Sequence, residues 1–180
     1  MSAAQTVVGG AAGATPGDAF HNLGAYIPGD RRRSLAAGTP MPDRVRGAAL
    51  FADISGFTAL TEALADELGP QRGAEELTAN LNRVFHSLIA ELERFGGHVI
   101  YFSGDAITCW IDGDDGARAT ACALEMQRTV GQLGEVVTPA GSRVRLAMKA
   151  AVAVGAARRF LVGDRDDQLI DVLAGRLIDA

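Results

Sequence analysis

Cysteine is scarce in this chain. Cys109 and Cys122 are the only two among 180 residues, too few for a disulfide framework and at no metal-ligand spacing. Histidine is as thin: His21, His86 and His98 lie scattered and form no ligand cluster. No apolar run approaches the ~20 residues that a membrane-spanning helix needs. The opening MSAAQTVVGGAAGATPG has neither a basic stretch nor a compact apolar one, so it is not a secretory signal. Positive charge is not in excess either. A net charge of −5 argues against non-specific binding to nucleic acid or to an anionic membrane. It leaves room for a small anionic ligand at one local site. The expectation is a cytoplasmic protein with buried free thiols and, at 48% hydrophobic residues, a substantial core.

What is present divides the chain in two. Residues 1–43 read as a flexible, Gly- and Ala-rich leader carrying one short helix, framed by Asp30 as N-cap and Gly38 as C-cap. Its Arg31-Arg32-Arg33 is expected on a solvated face or against acidic neighbours. From residue 44 to 180 the pattern is that of one domain. Gly47 to Ile54 is a central strand, because an apolar run without alternation suits a strand covered on both faces. Helices follow over Phe57–Leu68 and Gly73–Phe95, the second with Leu77, Leu81, Val84, Phe85, Leu88, Ile89 and Leu92 on one stripe; His86 falls on its surface or rim. Val99–Phe102 and Ala106–Ile111 form a hairpin around Ser103-Gly104-Asp105. A helix from Ala117 to Val130 is expected to turn Ala117, Ala121 and Leu124 inward. Gly131 to Gly141 reads as a loop and Arg143–Val154 as a strand. Gly155 marks a turn before a short β segment, Arg158–Val162, with Arg158 and Arg159 on a solvated hairpin. Leu169–Ala174 is the last strand, and Gly175 turns into a helix in which the chain stops. The order β-α-α-β-β-α-β is the α+β, ferredoxin-like split βαβ arrangement, a mostly antiparallel sheet with helices on one face.

That topology brings two carboxylates together. Asp53 interrupts the apolar strand in FADISGFTAL, where a buried carboxylate is costly unless paired or bound to metal. Asp105 sits at the hairpin tip, on the neighbouring strand. Two facing carboxylates repel and raise each other's pKa unless a cation lies between them. Oxygen-only ligation points to Mg²⁺ or Mn²⁺. Beside Asp53, Ser55-Gly56-Phe57-Thr58 turns into a helix N-terminus, whose open amides and dipole favour an anion. Gly56 allows close backbone approach. Each piece alone has a plainer explanation: a cap, a turn, a hairpin tip. Their convergence on one sheet edge favours a nucleoside triphosphate held with two metal ions.

The stretches LFADISGFTALTEAL and GGHVIYFSGDAITCW resemble the two metal-aspartate motifs of the class III nucleotidyl cyclases, and RGAEELTANLNRVF (Arg72–Phe85) resembles the intervening helix of the soluble adenylyl cyclase-like subgroup. The resemblance runs from about Gly47 to the C-terminus. It implies conversion of ATP to 3′,5′-cyclic AMP and pyrophosphate with two Mg²⁺ or Mn²⁺ ions. It implies Asp53, Asp105 and the Ile54 carbonyl as metal ligands, with Ser55, Gly56, Phe57, Thr58 and Gly104 along the nucleotide.

The departures from the family pattern are as informative. Sites of the family lie between two domains, and the second face supplies a base-reading lysine, an adenine contact, an Asn and an Arg. Here the lysine position is Tyr101. The adenine position is Val172, with Asp171 one residue away. The Asn position falls near Asp179, and the Arg position lies past Ala180. The resemblance therefore implies a half-site domain, truncated at its C-terminus and weak or inactive alone. Its expected partners are ATP and a second cyclase domain, downstream in a longer chain, or a second copy; two copies of this chain offer no lysine at the base-reading position. The bicarbonate pocket of the subgroup uses the lysine that matches Tyr101, and a tyrosine carries no fixed positive charge, so bicarbonate regulation is not expected. Guanylyl specificity and a non-catalytic assembly role stand as alternatives.

Overall fold

A computed structural model describes residues 28–133, 135–163 and 169–178. The leader ahead of Pro28 and the position near Asp179 lie outside the described residues. Arg44–Ser55 forms β1, a twelve-residue strand whose Ala48, Ala49, Leu50, Ala52 and Ile54 are buried. It is preceded by α1 (Gly29–Ala37) and followed by α2 (Phe57–Leu68), α3 (Pro70–Arg94), β2 (Gly97–Ser103), β3 (Ala106–Asp112), α4 (Ala117–Leu133), β4 (Glu135–Val137), β5 (Arg143–Arg145), β6 (Ala147–Gly163) and β7 (Leu169–Ala174). The five-stranded sheet has the order β2-β3-β1-β6-β7, and every neighbouring pair is antiparallel. The split βαβ connection produces the first four of these positions, with β1 between the hairpin and β6. β4 and β5 pair separately as a small hairpin.

The two sheet faces are unequal. The larger core, under α2, α3 and α4, takes the even residues of β1 (Ala48, Leu50, Ala52, Ile54) together with Leu60, Leu64, Val84, Leu88, Leu92 and Met126. The other face carries Val45, Ala49, Trp110, Ala157 and Leu177. Trp110 is fully buried there. Cys109 and Cys122 are buried free thiols. Burial pushes both up, Cys122 to about 12. Among the described residues no helix is long and apolar enough to cross a membrane.

Four expectations are corrected. Gly155 is no turn: β6 runs unbroken through it, and Gly155 pairs with Gly47. A Cβ on Gly47 would lie 2.4 Å from the Ile111 carbonyl oxygen and 2.7 Å from Trp110 Cζ2, so that glycine gives the indole room. Arg159 is not solvated but fully buried, ion-paired to Asp30 and Asp171. The inward stripe of α4 is Ala119, Cys122, Ala123, Met126 and Val130, while Leu124 is 57% exposed. The five inward residues recur at i, i+3, i+4, i+7 and i+11, and Asp114 caps the helix by accepting from the Arg118 and Ala119 amides. The loop after α4 contains β4.

That small hairpin is tied to α2. The Glu67 carboxylate accepts from Thr138 Oγ1 (2.6 Å), the Ala140 amide (2.9 Å) and Ser142 Oγ (2.8 Å). The Thr138 bond, then the Ala140 amide, hold Glu67 below its ordinary value. A carboxyl with a depressed folded pKa gives stability that is complete above its unfolded value and lost as pH falls through the folded one. Amide protection at residues 135–145 should therefore persist above the ordinary glutamate value of 4.5 and fade below it. Glu67→Gln should show the faded level already at pH 7 by hydrogen exchange, with β1 unchanged.

Candidate active site

The register places the acidic pair. Asp53 pairs with Ala106, the first residue of β3, so Asp105 stands immediately beyond it. The Ile54 amide donates to the Asp105 carbonyl at 3.1 Å, which fastens the hairpin tip to β1. Gly104, at φ 62°, takes the first central position of the two-residue turn, as a type II′ loop requires. Asp105 is half-buried. Asp53 is exposed, which corrects the expectation of a buried carboxylate: the strand emerges from its cover one residue before Ile54 returns to the core. Among the described residues no third acidic, histidine or cysteine side chain joins the pair. Asp53, Asp105 and the Ile54 carbonyl are the groups here that could hold a hard cation, since an all-oxygen donor set suits Mg²⁺ or Mn²⁺.

The turn after β1 is built for close approach. Gly56 has φ 105°, and a Cβ on it would lie 2.6 Å from the Arg145 carbonyl oxygen. No side chain caps α2. Its first internal bond runs from the Leu60 amide to the Gly56 carbonyl, so the amides of Phe57, Thr58 and Ala59 have no intrahelical acceptor. The Phe57 ring is buried in the core, leaving that residue only its amide to offer, while Thr58 is exposed. Ser55 Oγ donates to the Ala147 carbonyl at 3.3 Å and so pins the turn to β6.

One residue of the site escaped the sequence reading. Lys149 of β6 lies directly opposite Asp53, on the same face and within reach of it. It is exposed, and it is the only lysine in the chain. Its one signal was a lone cation inside the run LAMKAAVAV; the β1–β6 register that gives it meaning is non-local. Across the sheet, Ser103, Ala106, Asp53 and Lys149 form one row, and Tyr101, Thr108, Phe51 and Ala151 the next. Tyr101 is 59% exposed on the acidic-pair face. Asp171 is not free to contact a base: its carboxylate is enclosed by Arg31 and Arg159. Val172 is half-buried next to it.

No family model matches the chain. Adenylate cyclase type 10 of Homo sapiens is 40% identical over 68 residues, which is 38% of this chain and 4% of that protein. The Rattus norvegicus protein is 41% identical over 61 residues, 34% of this chain and 4% of that one. The matched stretch is thus a small part of these relatives' length. Among solved structures, a bacterial light-regulated adenylyl cyclase aligns with 92% of this chain and 48% of its own, at TM-score 0.72 and 20% identity. The guanylyl cyclase Cya2 aligns with 76% of this chain and 67% of its own, at TM-score 0.62 and 26% identity.

Proposed function

We propose that the chain, similar to class III nucleotidyl cyclase domains, is a cyclase catalytic domain whose residues 44–180 supply the metal-binding half of an adenylyl cyclase site completed by a second cyclase domain. The observation that carries this reading is the row Asp53–Lys149 beside Asp105 and the uncapped start of α2. Asp53, Asp105 and the Ile54 carbonyl would hold two Mg²⁺ or Mn²⁺ ions, which supply the charge that activates the ribose 3′-oxygen and stabilises the departing pyrophosphate. The residues around them do the positioning. The amides after Gly56 receive phosphate oxygens at the positive end of the α2 dipole. Lys149 neutralises a further phosphate oxygen as a point charge. So placed, the 3′-oxygen can bond to the α-phosphorus while the bridge to the β-phosphate breaks, and pyrophosphate leaves from the cradle. The work would be done in the cytoplasm, with the partner domain facing the exposed row of Tyr101.

Tyr101 favours one second reading, a domain that assembles without catalysis, since a phenol cannot read a base edge as an ammonium does. The test combines the chain with a second cyclase domain that carries the lysine, Asn and Arg, adds Mn²⁺, and follows ATP and GTP to their cyclic products. Cyclic AMP is the expected product. Cyclic GMP alone would transfer the reading to guanylyl specificity, and no Mn²⁺-dependent binding of either nucleotide by calorimetry would leave the assembly role. Lys149→Ala should weaken Mn²⁺-dependent ATP binding by about tenfold to a hundredfold, the size of one charge-assisted contact. Lys149→Arg should restore most of it.

A further inference from the structure

The short helix α1 is held to the sheet by charge rather than by an apolar face. Nine residues are too few to stay helical alone in water. Its sequence, GDRRRSLAA, presents no hydrophobic stripe: Leu35 is 42% exposed, and the only buried residue of the helix is Arg31. Arg31 donates from Nε and Nη2 to the two oxygens of Asp171, at 3.2 Å each. Arg159 donates from Nη1 and Nη2 to Asp30 and from Nη2 to Asp171. Burial alone would push Asp30 up, but the bond and charge of Arg159 outweigh it and hold the carboxyl below its ordinary value. The four charges cancel around two buried arginines and a buried Asp171, with Asp30 half-buried at the rim, and Arg33 adds a 3.2 Å contact to His98 of β2.

Two features make this attachment separable from the core. Among the described residues Arg159 Nε is buried with no partner, and a buried polar network that is only partly satisfied holds less strongly than a complete one. Arg159 and Asp171 also pair with each other. Withdrawal of α1 would therefore return Arg31 and Asp30 to water and leave no lone charge buried, which is the costly outcome when an ion pair is broken. The strand that α1 fastens needs fastening. Among the described residues β7 is an edge strand, paired only with the far end of β6 from Arg158 to Gly163. It leads through Gly175 to Leu177 and Ile178, which pack in one cluster with Trp110, Ala49 and Phe51.

We propose that α1 is a charge-held strap: docked, it fixes the edge strand β7 against the sheet, and undocked, it releases β7 while the core stays folded. A pull or a competing contact on the chain ahead of Gly29 is thereby converted into freedom of β7 and of the turn at 175–178. The strap stands independently of the proposed reaction.

The test uses the whole chain and the variants Arg31→Met and Arg31→Lys. Methionine keeps the side-chain stem and removes the charge; lysine keeps a charge. No trypsin site precedes Arg31 in the sequence, and Arg32 and Arg33 are exposed, so release of the N-terminal peptide reports α1 directly. In R31M, cleavage at Arg32 and Arg33 should accelerate at least tenfold, hydrogen exchange over 169–174 should rise by a similar factor, and β1 and β3 should stay as protected as in the parent. R31K should lie close to the parent. Unchanged cleavage in R31M would show that the charges do not hold the helix. Loss of β1 protection in parallel with α1 would show that the helix is part of the core and not a strap. Either result overturns the proposal.

Discussion

Replacing Asp53 or Asp105 by alanine will abolish cyclic-nucleotide formation by the assembled enzyme and leave the fold of this chain intact. Metal-borne charge stabilisation is worth several kcal/mol, so the expected fall in turnover is about a thousandfold or more. Stability should hardly move. Asp53 is exposed and Asp105 half-buried at a hairpin tip, and surface substitutions away from packing contacts stay within about 0.5 kcal/mol. The alanine variants should therefore melt close to the parent's temperature. Lost Mn²⁺-dependent product at unchanged melting temperature is the signature of a site acid. Undiminished product formation in either variant would end the metal-site reading, and a large drop in melting temperature would assign the residue to the fold.

The features that were legible in the sequence are local ones and the one juxtaposition that the topology dictates. The span of α2 follows from Ser55-Gly56 before it and Gly69-Pro70 after it. The hairpin around Gly104 follows from turn chemistry between two β-rich runs. Asp53 and Asp105 come together because split βαβ topology puts β1 beside the hairpin. What escaped depends on partners distant in sequence. Gly155 carries the composition of a turn, yet faces Gly47 across a sheet register that only the fold defines. Arg159 belongs to a polar-looking segment, and what buries it is a helix ending more than a hundred residues earlier. Lys149 comes opposite Asp53, and so to its proposed role, only once β6 is aligned with β1. On α4, Ala117, Ala121 and Leu124 offered a second, narrower apolar stripe, and the broader one through Ala119, Cys122, Ala123, Met126 and Val130 is the one that packs.

Gly56→Ala should damage stability and activity together, which separates it from the aspartate variants. At φ 105° an alanine is strained, a cost of about 1–3 kcal/mol. Its Cβ would also meet the Arg145 carbonyl oxygen at 2.6 Å and Leu146 Cδ2 at 3.1 Å. The first of these is backbone, on the segment that connects the β4–β5 hairpin to β6, and it cannot yield as a flexible side chain would. Strain and overpacking together give a loss of about 2–5 kcal/mol, equivalent to a fall of roughly 5–15 °C in melting temperature for a domain of this size. The turn can relieve the clash only by moving away from β6. That movement would draw Ser55 from the Ala147 carbonyl and tilt the open amides of α2 away from the acidic pair. Nucleotide affinity should therefore fall even at a temperature where the variant is fully folded. A Gly56→Ala protein that melts low but binds Mn²⁺-ATP as the parent does would keep the glycine as a folding device and remove the turn from the binding site.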